Sequence, residues 1–154
     1  MHPRNQAVQD ALSAAGVAAQ IEVLEEHAHT AAVAAQQLGC NVAAIANSLV
    51  FMADSEPVLV MASGAARVDT DVIARAVGAE SVTKATAGQV RAATGQAIGG
   101  VAPTGHPAPL RTLIDPELGA HDTIWAAGGT PDTIVPLTFQ QLVTVTAGHV
   151  TPVR

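Results

Sequence analysis

Reactive and stacking side chains are scarce in this sequence. Cys40 is the only cysteine, which excludes an intrachain disulfide, a CxxC redox pair and a thiolate-rich zinc site. Tyrosine is absent, and the aromatic residues are Phe51, Trp125 and Phe139. These are too few for the stacking platform on which single-stranded RNA modules hold bases. Any contact with RNA is therefore expected to be local and chemically specific.

Positive charge and long apolar runs are also lacking. Seven Lys and Arg residues stand against 13 Asp and Glu residues, and the formal charge of −6 is unlike that of a general nucleic-acid binder. No window approaches the roughly 18 apolar residues of a membrane span, and the N-terminus lacks the apolar core of a secretory signal. The sequence therefore predicts a cytoplasmic protein with no membrane partner.

What is present fits one hydrophobic core. The chain has 154 residues, of which 49% are hydrophobic, and this suffices for a core without a metal or a disulfide. No internal repeat, low-complexity tract or linker-like change of composition divides it. We expect a single domain over residues 1–154.

Hydrophobic periodicity and capping residues predict interleaved helices and strands. Helices are expected over residues 5–15, 30–38, 69–77 and 86–95, and from residue 138 onward. Strands are expected over residues 20–24, 45–52, 57–61, 123–126 and 133–135.

A polar pair interrupts an otherwise apolar predicted strand. Asn47 and Ser48 lie within the run Ile45–Phe51. A buried amide costs free energy unless it is hydrogen-bonded. Asn47 is therefore either a satisfied core amide or a side chain that lines a pocket.

A glycine-rich loop is the second candidate for chemistry. Gly99 and Gly100 let backbone N–H groups approach a ligand, and Pro103 stiffens the turn that follows. Such donors suit an anion, or the oxyanion that develops during ester cleavage. The loop lacks the spacing of phosphate-binding motifs. As a bare pair of glycines, it also fits an ordinary structural turn.

Signals for other catalytic chemistry are weak. No histidine pair has the spacing of a zinc motif, so no metal site is predicted. His27 is a candidate general acid or substrate contact, with a surface histidine as the favoured alternative, and His29 alternates with it. Cys40 has no base beside it and is expected to be a small buried hydrophobe. The serine-hydrolase elbow Gly-x-Ser-x-Gly is absent.

Several motifs recur together in an order and spacing that are typical of one family. They are Thr30 with Ala34-Ala35 and Leu38-Gly39, Ile45–Phe51, Gly64 with Arg67-Val68-Asp69, Thr94-Gly95, Ile98–Gly105, Ile114-Asp115 and Gly128-Gly129. Over about residues 26–142 the chain resembles the YbaK/prolyl-tRNA synthetase-associated domain family, whose members hydrolyse mischarged aminoacyl-tRNA.

The resemblance implies an α/β (α+β) fold, with a mixed and partly rolled β-sheet flanked by helices. It also implies a pocket between the polar position of the central strand and the glycine-rich loop. Catalysis would be largely substrate-assisted, with Asn47 orienting the substrate and backbone amides stabilising the oxyanion. The amides implied are those of Gly99, Gly100 and Val101. The implied substrate-binding residues are Thr30, Ser48, Ala102, Pro103, Gly128 and Gly129.

The same resemblance implies no metal and no organic cofactor. The implied partners are the aminoacylated acceptor end of tRNA and an aminoacyl-tRNA synthetase. One position departs from the family, because the lysine usual in the Ile-Ala-x-Ser-Leu segment is Asn47 here. An amide still donates hydrogen bonds, but it lacks the charge-assisted contact, which is worth roughly 1.5–3 kcal/mol.

Three functions follow as hypotheses. The first is a trans-editing deacylase that hydrolyses the ester of a mischarged tRNA, such as proline tRNA carrying a small noncognate amino acid. The second is a catalytically impaired module that binds an aminoacyl or nucleotide-like ligand, or a partner protein, after loss of the lysine at Asn47. The third is a small-ester or amide hydrolase that acts without RNA.

Overall fold

A computed structural model of the chain describes residues 1–26 and 30–154. Within them, five α-helices are interspersed among the strands of one sheet. The helices are α1 (Pro3–Ala14), α2 (Ala31–Leu38), α3 (Thr70–Val77), α4 (Ala87–Thr94) and α5 (Phe139–Thr146). The strands are β1 (Glu22–Val23), β2 (Ile45–Ala53), β3 (Glu56–Ser63), β4 (Val82–Lys84), β5 (Arg111–Ile114), β6 (Ile124–Ala127), β7 (Thr133–Leu137) and β8 (His149–Val150).

The helices begin at the capping residues that the sequence predicts. The side chains of Thr30, Asp69, Thr86 and Thr138 each accept an N–H from the first turn of their helix. At Thr86 and Thr138 a glutamine three residues on completes a capping box, which satisfies two otherwise unpaired N–H groups. Helix α1 begins before the predicted Asn5, because Pro3 occupies its first position, where a missing N–H costs nothing.

The sheet is mixed, and β2 lies at its centre. Its strand order is β1-β7-β6-β2-β3-β5-β8, and β4 also pairs with β2. The pairs β2/β6, β3/β5 and β5/β8 are parallel, while the remaining pairs are antiparallel. The mixed sheet flanked by helices confirms the expected fold class.

The long hairpin of β2 and β3 is the strongest local prediction, and it is confirmed. Its two-residue turn, Asp54-Ser55, has φ values of +48° and +69°, and positive φ at both central positions matches the twist of antiparallel strands. The Asp54 carboxylate also accepts the N–H groups of Glu80 and Ser81, at 3.0 and 2.9 Å. These two bonds tie the hairpin tip to the segment that leads into β4.

Both faces of the sheet are buried. On one face, Leu59 and Met61 of β3 pack with α1, α4 and α5, and on the other Val58 and Val60 pack with Ile73 of α3. A third cluster joins α2 to β2 through Ala34 and Ile45. No helix among the described residues is long and apolar enough to cross a membrane.

Candidate active site

A cleft of about 330 Å³ opens at the end of β2 that lies beside α2 and β6. Its walls come from α2, β2, β6, β7 and the loops that precede β7 and follow α4. It is lined by Leu24, Thr30, Ala31, Ala34, Ile45, Ala46, Asn47, Ser48, Leu49, Ile98, Gly99, Val101, Trp125, Ala127, Pro131, Thr133 and Ile134.

The cleft lies at a break in the pairing of β2. On the edge away from β3, β6 pairs with residues 45–46 and β4 pairs with residues 51–53. Residues 47–50 lie between these two partners, and no described strand pairs with them on that edge. A central strand thus presents a short exposed edge to the cleft.

Two hydrogen bonds establish which backbone groups face this edge. Gly64 donates its N–H to the Ile45 carbonyl at 2.7 Å on the β3 side, and Ala85 donates to the Val50 carbonyl at 3.1 Å on the other side. Because residues of an antiparallel ladder alternate in direction, Ser48 has the same orientation as Val50. The N–H and C=O of Ser48 and the N–H of Val50 therefore point toward the gap.

Asn47 lines the cleft and is partly exposed. Among the described residues its side-chain amide has no hydrogen-bond partner, so of the two readings the structure favours the pocket over the satisfied core amide. Ser48 lines the cleft as well, while its hydroxyl donates to the Met61 sulfur at 3.3 Å. The Asn47 amide is thus available to a ligand.

The glycine-rich loop crosses the opposite wall of the cleft. Gly99 has φ +90°, a conformation that side chains rarely adopt, and both Gly99 and Val101 line the cleft. Neither of their N–H groups is bonded to a described residue. Gly100 differs, since it donates its N–H to the Ala97 carbonyl at 2.9 Å and does not line the cleft. Of the three expected oxyanion donors, two are therefore unengaged.

A buried glutamine holds this loop in shape. The Gln96 side chain is 1% exposed, and its Oε1 accepts the Ala102 N–H at 2.8 Å. Its Nε2 lies 3.4 Å from the Thr104 carbonyl, a longer contact. Thr94, also buried, accepts the Gln96 N–H through its hydroxyl at 3.0 Å. The Gln96 side chain thus bonds to the later half of the loop while its N–H is held by Thr94 at the end of α4, and these contacts fix the shape of the loop.

Gly100 places the loop against the segment between β6 and β7. A Cβ atom at Gly100 would lie 2.6 Å from the Thr130 carbonyl carbon and 2.8 Å from the Pro131 nitrogen. Both neighbours are backbone atoms, so they cannot move aside as a flexible side chain would. The glycine is therefore required for close approach of two backbones.

Asn5 of α1 anchors the same segment from behind. Its Nδ2 lies 2.7 Å from the Gly128 carbonyl and 3.1 Å from the hydroxyls of both Thr130 and Thr133. An amide nitrogen carries two protons, so three acceptors share them. Sequence reasoning missed this role, although Asn5 is a polar residue on the buried face of α1 that also carries Val8.

The structure brings together part of the predicted site. Residues of the prediction that line the cleft are Thr30, Asn47, Ser48, Gly99 and Val101. Residues that lie behind its walls are Gly100, Ala102, Pro103, Gly128 and Gly129. The second group is buried and shapes the two loops, and the first group presents atoms to the cleft.

Two large apolar residues that line the cleft, Trp125 and Ile98, were not predicted from the sequence as part of the site. Trp125, the only tryptophan, pairs with Ile45 across β6 and β2 and forms one wall. Ile98 is 59% exposed at the rim, an unusual position for a large apolar side chain. The single tryptophan in a strand and the isoleucine beside the glycine pair were the available signals.

The described residues that line the cleft include no Asp, Glu, Lys, Arg or His. Burial raises the pKa of the Cys40 thiol, only partly offset by a backbone hydrogen bond, so at neutral pH it is a protonated side chain of an apolar cluster. His27 and His29 lie outside the described residues. Across residues 1–26 and 30–154, no group of three His, Cys, Asp or Glu side chains is placed to hold a metal.

His106 follows the glycine-rich loop, and its burial is expected to make the stability of the fold depend on pH. Burial lowers the pKa of its imidazole below 6.5, and the contact of Nε2 with the Ala102 carbonyl at 2.9 Å opposes this only in part. Below pH 6.5 the unfolded chain binds a proton that the folded chain resists, so stability is complete above that pH and falls as the solution is acidified. Urea unfolding between pH 8 and pH 5 should show this loss, and His106→Gln should reduce it. An equal loss in the variant would contradict the assignment.

The comparisons with known proteins agree with this geometry. Residues 25–145 match the model of the aminoacyl-tRNA editing domain family. A proline–tRNA ligase of Nitratidesulfovibrio vulgaris is 33% identical over 111 residues, which are 72% of this chain. The match covers 19% of that ligase, so the chain spans about a fifth of the length of this curated relative.

Solved structures match over all or nearly all of the chain. A structure described as a candidate trans-editing enzyme for prolyl-tRNA synthetase has a TM-score of 0.93 and 36% identity, and the match covers 100% of this chain and 98% of that one. The hypothetical protein APE2540 has a TM-score of 0.88 at 24% identity, covering 96% of this chain and 98% of that one, and supports the fold alone. This chain belongs to the family of aminoacyl-tRNA editing domains.

Proposed function

We propose that this protein is a trans-editing deacylase that hydrolyses the ester bond between a small noncognate amino acid and its tRNA. The main support for this proposal is the arrangement of backbone groups in the cleft. The cleft joins two backbone N–H groups that have no partner among the described residues, those of Gly99 and Val101, to an exposed strand edge, and none of the described residues that line it is charged. Preorganised donors in a pocket of low polarity stabilise a developing oxyanion far better than water does.

In the proposed reaction, water attacks the ester carbonyl carbon, and its oxygen forms the new bond. The carbonyl oxygen becomes an oxyanion that accepts hydrogen bonds from Gly99 and Val101. Collapse of this intermediate breaks the bond to the ribose oxygen, which takes a proton and leaves as the hydroxyl of the terminal adenosine. Because no titratable side chain of the described residues lines the cleft, a substrate group or a second water carries the proton.

The walls of the cleft suit a small uncharged amino acid. A volume of about 330 Å³ is near the lower end of ligand sites, and Ala31, Ala34 and Ile134 supply apolar surface. A charged side chain would lose its hydration without gaining an ion pair. Asn47 and the Ser48 backbone groups would orient the ester and the α-amino group by hydrogen bonds. Proline tRNA is the proposed carrier, since the relatives with similar sequence include proline–tRNA ligases.

Asn47 favours a second candidate function. Without an ammonium group at this position, the cleft would bind an aminoacyl or nucleotide-like ligand, or a partner protein, without turning it over. A binder of this kind would retain affinity for a non-hydrolysable aminoacyl analogue and release no amino acid. A hydrolase that acts without RNA would cleave a simple aminoacyl ester as fast as the aminoacyl-tRNA.

Two neighbouring alanines of α2 test whether the cleft is the reaction site. Ala31 lines the cleft, whereas Ala32 is exposed on the same helix. Ala31→Leu adds three carbon atoms to the cleft and should lower kcat/KM for alanyl-tRNA at least tenfold. Ala32→Leu should leave it unchanged. Release of labelled alanine from tRNA measures both, and equal activity of the two variants would place the reaction elsewhere.

A further inference from the structure

A second cavity of about 60 Å³ adjoins the cleft. Five residues line both of them, namely Ser48, Leu49, Ile98, Gly99 and Val101. The two cavities are therefore parts of one groove that runs along β2 from Asn47 toward β4. In the proposed function, the amino acid and its ester occupy the cleft. No part of the ligand has yet been assigned to the extension.

Lys84 of β4 lines the extension. It is the only charged residue among the described residues that line either cavity. The single ion pair within residues 1–26 and 30–154 joins Arg154 to Glu117, so no described carboxylate neutralises the Lys84 ammonium. The chain has a net charge of −6, so the exposed Lys84 ammonium makes this end of the groove a local site of positive charge.

The register of β2 and β4 sets the distance from the ester. Lys84 pairs with Phe51, four residues along β2 from Asn47. At about 3.3 Å per residue, the backbone positions of Asn47 and Phe51 are about 13 Å apart along β2. The pairing is held by the bond from the Ala85 N–H to the Val50 carbonyl. The backbone of Lys84 is therefore well removed from the position of the missing lysine, and it lies at the end of the groove where the chain of a polynucleotide would continue.

We propose that Lys84 binds a backbone phosphate of the single-stranded acceptor end, and that the extension is the subsite for this phosphate group. This inference rests on the proposed function and deepens it. The positive charge that is missing at Asn47 is present at Lys84 instead, where it would serve binding of the RNA and not cleavage of the ester. Lys84 contributes to binding of the RNA, and the backbone amides at the other end of the groove act on the ester. An ammonium group is a compact, charged donor suited to a phosphate oxygen.

Lys84→Gln tests the subsite, with Arg75→Gln as the matched control. Arg75 is an exposed cation of α3 that lines neither cavity, so its variant makes the same change in net charge. For a fluorescent RNA oligonucleotide ending in CCA, K84Q should weaken binding about tenfold, R75Q should not, and Lys84→Arg should restore most of it. The slope of log affinity against log salt should fall by about 0.7 in K84Q alone.

Catalysis gives a second readout. K84Q should raise KM for aminoacyl-tRNA with kcat unchanged, and it should leave hydrolysis of aminoacyl-adenosine, which has no phosphate, as in the wild type. Equal weakening of the oligonucleotide by K84Q and R75Q, or an equal loss on aminoacyl-adenosine, would overturn the subsite. If the wild type binds the oligonucleotide through Lys84 but releases no amino acid, the deacylase proposal fails and the subsite stands.

Discussion

Replacing the backbone amide of residue 101 with an ester is expected to lower kcat about 10²–10³-fold. The change removes one N–H and keeps the valine side chain, and loss of a single oxyanion donor has an effect of this size. The N–H of Val101 has no partner among the described residues, so the fold should lose little stability. The ester is introduced as the α-hydroxy analogue of valine, and kcat is measured on aminoacyl-tRNA.

The same replacement at residue 100 is the control. The Gly100 N–H donates to the Ala97 carbonyl within the loop, so its removal should cost about 0.5–1.5 kcal/mol of stability and change kcat far less. This pair separates a donor directed at the substrate from one that holds the loop. If kcat falls equally at both positions, or falls only at residue 100, the assignment of the Val101 amide as an oxyanion donor is wrong.

Gly100→Ala is expected to have the second largest effect. Its Cβ would lie 2.6 Å from the Thr130 carbonyl carbon, and the loop must shift to relieve this overlap. Overpacking of this kind costs about 1–3 kcal/mol. The shift also moves the neighbouring amides, so kcat/KM for aminoacyl-tRNA should fall more than the loss of folded protein explains.

Gly88→Ala provides the reference for a glycine substitution without overlap. Gly88 lies in α4, and a Cβ there would meet nothing within 4 Å. Alanine should stabilise this helix by about 0.5–1 kcal/mol. In a chain of this size each kcal/mol shifts Tm by about 2–4 °C, so thermal unfolding separates the two variants clearly. Equal Tm values would show that the loop does not pack on residues 130–131 as described.

Much of the framework could be predicted from sequence because its signals are local. Thr30, Thr86 and Thr138 cap their helices through contacts within one turn, and the Asp54-Ser55 turn fixes the β2/β3 hairpin. The family resemblance added the glycine-rich loop as a partner of Asn47. Both do lie on the cleft.

What sequence could not supply depends on contacts between distant segments. The strands β4 and β8, of three and two residues, carry no periodicity of their own and form only by pairing with β2 and β5. Gly100 packs against the backbone of residues 130–131, whereas a Cβ at Gly99 would meet nothing within 4 Å. The glycine pair alone does not show which of the two is required for close packing. Asn5 lies more than 120 residues from its acceptors in the chain, so its role appears only in the folded molecule.

The most direct test of the account is release of labelled amino acid from tRNAs charged with alanine, cysteine, serine and proline. The assay uses catalytic amounts of protein at low salt, because phosphate contacts weaken as salt rises. We expect turnover of at least one small noncognate aminoacyl-tRNA and much slower cleavage of the matching simple ester. If folded protein releases no amino acid from any of them, the deacylase account is contradicted, and the cleft is a binding site.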